Sequence, residues 1–164
     1  MGDCVSSPEI FLFGLRRLLV LLHAASSVVL LGASTHHLLM MRFYLRRRFE
    51  RAALEKTYAK VIVYTYAITF GLGLFVYPTY RVHIRGYYLD RFAPVYAKLF
   101  DMKEVYAALA MFVALALGAL AYTWRPKEEP QLAPVVAAMS FVVCAAVWFS
   151  AVVGVLVTSV RGIG

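Results

Sequence analysis

Residues 17–41 read RLLVLLHAASSVVLLGASTHHLLMM. After Arg17 nothing in this run carries a fixed charge, and only His23, His36 and His37 can take one. Coiled as a helix it extends about 37 Å, more than the roughly 30 Å hydrocarbon core of a bilayer. It therefore predicts a membrane span. It is also unusually polar for one. His23, Ser26 or Ser27, Leu30, Ser34 and His37 recur three or four residues apart, which places them on one face of a helix. The result is a polar stripe interrupted at Leu30. His36 falls off the stripe, toward the side shared by Val29 and Gly32. Polar groups are expensive in hydrocarbon unless paired, so the stripe is expected to face protein.

Working outward, the rest of the chain repeats the apolar theme. Hydrophobic residues make up 62% of the 164 residues and charged residues 16%, where a soluble domain carries about 25% charged. Three more apolar blocks follow, at about 61–80, 104–124 and 134–158. In the second, Tyr66, Thr69, Gly73, Tyr77 and Tyr80 share a face, Gly73 invites close approach of a neighbour, and Pro78 predicts a bend or an end. The third carries a seam of Ala107, Ala110, Ala114, Gly118 and Ala121. The fourth carries Ala137, Ser140, Cys144, Ala151 and Gly154. Small seams of this kind let helices pack closely. The fold expected is all-α: an integral membrane four-helix bundle over 1–164, one transmembrane domain, with an interfacial segment between helices two and three.

The connections are informative in different ways. A brief interfacial helix is expected from Ser7 to Phe13. The run that follows it ends in His36-His37 rather than in a small-residue cleavage site, so the first span is read as retained. Residues 42–60 hold seven Lys or Arg against two Glu and read as a helical extension of span two beyond the membrane. Residues 81–103 mix charges and aromatics around Gly86 and Pro94, and read as short helices lying on the membrane surface. Basic residues number nine on the side of the 42–60 and 125–133 connections and eight on the other. Their density in 42–60 places that loop in the cytoplasm, with an inner-membrane location. The net charge of +8 borders the apolar blocks. That pattern fits topology and lipid headgroups, and nucleic acid is left out as a partner. Cys4 and Cys144 have no pairing or metal spacing.

Three sets of residues invite chemistry. Haem b needs imidazoles from facing helices, and His23 and His37, about 21 Å apart along one helix, would serve different haems. Spans two to four offer no histidine, and His83 lies just past span two, nearer to His23. The plainer reading has these histidines hydrogen-bonded within the bundle. His36, His37, Met40 and Met41 form a soft-ligand cluster that suits copper, although neighbouring helical histidines point about 100° apart, and the metal question stays open. Arg81, Arg85, Arg91, Asp101, Lys103 and Glu104 make a headgroup or ligand patch, for which a salt-bridged cap is the plainer account. Finally, no nucleophile constellation shows in the spacing, and no carboxylate stands in mid-span.

The arrangement resembles small bacterial membrane proteins with histidines on the first helix, such as cytochrome-b-like and copper-resistance membrane domains. It does so in helix number and histidine placement, with no motif shared residue by residue, and no family is assigned. The function expected is a non-catalytic accessory or structural subunit of a larger membrane assembly. Its partners would be the bilayer and other membrane subunits, or a second copy through the small faces of spans three and four. The alternatives are a haem- or quinone-linked redox subunit, then a small metal or solute transporter.

Overall fold

The computed structural model describes residues 13–160. The interfacial helix expected from Ser7 to Phe13 lies outside them except for its last residue, as do Cys4 and Arg161. The described residues are helical, with no strand. A 3₁₀ turn at Phe13–Leu15 leads into helix α1, Arg16–Leu45. Helix α2 is Ala52–Thr79, α3 is Pro94–Thr123 and α4 is Ala133–Val160. Each lies within a helical stretch long and apolar enough to cross a membrane. Thirty residues of α1 extend about 45 Å, so its ends outrun a bilayer core. The helices form a ring in which α1 and α3 each lie between α2 and α4.

Hydrophobic burial fills the ring in two clusters. The larger includes Leu30, Met41, Tyr44, Ile62, Tyr66, Leu117, Trp124 and Val143. The smaller, around Tyr80, Ile84, Leu89, Val153 and Val157, fills the opposite end. The small residues set how closely α2 and α3 approach. A Cβ built on Gly118 would stand 2.4 Å from Val63 Cγ2, and Ala110, Ala114 and Ala121 of the same seam are buried. Gly73 receives His23, whose Cε1 lies 3.3 Å from where a Cβ would be.

The links differ from the sequence expectation in two places. The 81–103 segment is not a separate set of short helices. The chain continues past Thr79 as a π-helix, Tyr80–Leu89, then Asp90–Phe92, and turns only at Ala93 before α3 starts on Pro94. Pro78 lacks the N–H that an α-helical turn uses, yet it sits inside α2 and the wider π turns follow it. Pro94 suits a first helical turn because its missing N–H is unpaired there in any case. The stacked rings of Tyr80 and Phe100, 3.9 Å between centroids, hold the two arms together.

The second difference is at 46–51. Here α1 ends in a paired cap: Arg48 N–H donates to Phe43 O at 3.0 Å and Arg47 N–H to Tyr44 O at 2.9 Å. This closing motif places one residue in the left-handed region, normally glycine. Here it is Arg47, with φ of 57°. Helix α2 then starts at Ala52, which carries Glu55 into the bundle rather than into a solvated extension.

Candidate functional site

Three buried polar groups meet where α1, α2 and α4 come together. His37, Glu55 and Ser140 are 0%, 1% and 2% exposed. His37 Nε2 lies 3.2 Å from Glu55 Oε1, and His37 Nδ1 lies 2.9 Å from Ser140 Oγ. The direction of these bonds follows from one fact. Ser140 Oγ is 2.8 Å from Val136 O, and a carbonyl only accepts, so the single hydroxyl proton goes there. Ser140 Oγ must then accept from His37 Nδ1–H. The other ring nitrogen, Nε2, is hydrogen-bonded to Glu55 Oε1, so both sides of the ring have partners. Two polar atoms remain without partners beside this chain, Glu55 Oε2 and Tyr44 Oη.

The junction lies toward the 46–51 end. His37 is eight residues before the close of α1, about 12 Å along its axis. Glu55 stands in the first turn of α2. Tyr44 roofs the site, edge-on to Phe49 and tilted against Trp124. The Trp124 indole N–H donates to Glu129 O at 3.0 Å, which pins the α3–α4 link over the same end.

Ser, His and Glu in a row have the composition of a hydrolytic triad, which the sequence spacing did not show. The chemistry does not follow. Acyl transfer needs a nucleophile open to substrate and donors aimed at the developing oxyanion. Ser140 is sealed within the bundle, gives its proton to its own helix, and sits mid-helix where backbone N–H groups are already used. What the arrangement can do is fix three helices in one register and hold a proton.

The other histidines are placed differently. His23 Nδ1 donates to Thr69 O at 2.9 Å, leaving Nε2 with its lone pair. His36 is exposed and stacks on Tyr58, 4.8 Å between centroids. His83 is exposed beside Tyr87 at the far end. Met40 and Met41 are buried in the apolar core, on other faces than His36. The polar stripe of α1 does turn inward: Ser34 and His37 are buried, and His23, Ser26 and Ser27 half-buried. Among the described residues no cluster of three or more His, Cys, Asp or Glu could hold a metal ion.

Of the charged patch, the structure assembles only part. Arg85 grips Asp101 with two guanidinium N–H donors, Nη2 reaching Oδ2 at 3.0 Å, and its Nε is 3.6 Å from Asp90 Oδ1. This ties the π-helix to the first turns of α3. Arg81 lies over the Tyr77 ring and Arg91 is exposed. Lys103 stays within electrostatic reach of Glu104 and also extends toward α4. Its Nζ sits 4.9 Å from the Phe100 ring centroid and reaches α4 at Gly154. Glu104, next in sequence, is half-buried.

Glu55 is the residue that sequence reasoning missed. Its neighbours are cationic, so it reads as a solvated partner for them. Only the closing of α1 at 46–51, which the structure shows, brings Glu55 level with His37. Comparison with protein-family models, curated proteins and solved structures found no match to this chain.

Proposed function

We propose that the chain is a non-catalytic integral membrane protein, an accessory or structural subunit of a larger membrane assembly. We place it in a bacterial inner (cytoplasmic) membrane, with residues 46–51 on the cytoplasmic side. The observation that carries this reading is the three-helix junction. Both ring nitrogens of His37 are used inside the chain, on Glu55 and Ser140. Polar side chains used in this way specify how helices meet, at about 1–2 kcal/mol per bond in a bilayer. The small seam of α3 is likewise used against α2. A surface open to a partner is the outer groove of α3 and α4, about 380 Å³, floored by Ala110, Ala145 and Ala146 beside Tyr106, Phe141 and Phe149. The cationic turn Arg46, Arg47, Arg48 and Arg51 supports the orientation.

The test is purification from haem-replete cells in mild detergent, followed by identification of co-purifying proteins and a visible spectrum. Stoichiometric membrane partners support the assembly reading. A chain that emerges alone and moves solute in proteoliposomes overturns it in favour of a transporter.

One atom favours a second reading, a b-type haem or quinone-linked redox subunit. His23 Nε2 keeps a free lone pair, the form that ligates iron or accepts a quinol proton. A Soret band lost on His23→Phe and kept on His37→Phe would establish that reading over the first.

A further inference from the structure

Between α2 and α3, on the outside of the ring, runs a groove of about 160 Å³. Its mouth is polar and its floor is not. Lys60, Tyr64 and Tyr122 stand at the mouth, and Val63, Gly118 and Ala119 line the floor beyond. The Lys60 Nζ lies 4.5 Å from the Tyr122 ring centroid, and Tyr64 lines the same groove. No carboxylate lines the groove.

We propose that this groove is a binding site for a phospholipid with an anionic headgroup. The argument is depth and charge together. Lys60 directly precedes the apolar run 61–80, and Tyr122 ends another, so both stand where the hydrocarbon gives way to headgroups. An ammonium and a pair of phenols at that level match a phosphate diester. Gly118 lets Val63 pack down onto α3, and an acyl chain can lie along Val63 and the exposed Ala119. A partner helix fits less well, because covering the groove would bury the Lys60 ammonium without a counter-charge. The site is separate from the His37 junction and from the Arg85–Asp101 clasp, and it does not depend on the subunit reading.

The experiment uses the full chain, purified in mild detergent and stripped of lipid. Phosphatidylglycerol or phosphatidylcholine of the same acyl chains is added at matched concentrations, and retention is read by native mass spectrometry. The expected result is one tightly retained phosphatidylglycerol, preferred over phosphatidylcholine. Lys60→Gln lowers that preference by about fivefold, the effect of one cation near a headgroup. Ala119→Leu fills the exposed floor and weakens retention of both lipids, while circular dichroism confirms that each variant is folded. Inorganic phosphate fails to displace the lipid, because the acyl chain contributes. Equal retention of the two lipids, a Lys60→Gln chain with the wild-type preference, or displacement by inorganic phosphate overturns the proposal.

Discussion

Glu55 on α2 meets His37 on α1 at 3.2 Å, with both side chains shut off from the surroundings. Eighteen residues and a cationic turn separate the two in sequence, and closing that turn brings them level. The contact is the centre of a chain of bonds from Glu55 through His37 and Ser140 to Val136 O.

That chain predicts coupling. His37→Leu and Glu55→Leu each leave the other group buried without its partner, so each destabilises. The double variant recovers about 1–2 kcal/mol relative to the sum. Unfolding of the four chains in mixed micelles, followed by circular dichroism, measures this. Strict additivity would show that the contact contributes nothing.

Glu55 Oε2 and Tyr44 Oη are both buried without partners. A polar, enclosed pair of this kind holds an ordered water when there is room for one. A high-resolution experimental structure is expected to show density between the two atoms. Tyr44→Phe should cost no more than about 1 kcal/mol, because the phenol gives up a bond to that water and none to the protein. A loss well beyond that would show that the phenol has a protein partner.

Gly118 and Gly32 make a matched pair of tests. A methyl at 118 would meet Val63 Cγ2 at 2.4 Å, whereas one at 32 meets nothing within 4 Å. Gly118→Ala is expected to destabilise by about 1–3 kcal/mol, and Val63→Ala in the same chain to restore part of it. Gly32→Ala is expected to be neutral or stabilising, by up to about 1 kcal/mol, through helix propensity. Equal effects at both sites would contradict the α2–α3 packing.

Arg47 occupies the left-handed position that closes α1, with φ of 57°. An L side chain there costs roughly 1–2 kcal/mol that glycine avoids. Arg47→Gly is therefore expected to raise stability by about 1 kcal/mol, although it removes a surface cation. The midpoint of unfolding in mixed micelles is the readout, and a fall in that midpoint would show that the arginine side chain has an anchoring role.

Topology can be read with single cysteines in a chain whose Cys4 and Cys144 are replaced by serine and alanine. Cysteines at Arg48 and Lys127 should label from one side of the membrane, the cytoplasmic one, and a cysteine at Phe92 from the other. Labelling of Arg48 and Phe92 positions from the same side would break the four-span arrangement.

Some of this was written locally in the chain. Apolar runs longer than a bilayer core fixed the number of helices, and the three-to-four spacing of Ser34 and His37 fixed which face of α1 turns inward, because both follow from helix geometry alone. The seam Ala110, Ala114, Gly118 and Ala121 was legible for the same reason, since small residues at helical spacing can only make a close-packed stripe. What the seam packs against was not legible. At Gly118 it receives α2, because Val63 lies opposite. Nor was the destination of Glu55, surrounded in sequence by arginines and lysines. Burial of a carboxyl depends on what three different helices present to it. Register between helices is set by where the 46–51 turn closes and by long-range packing, and no window of sequence contains either.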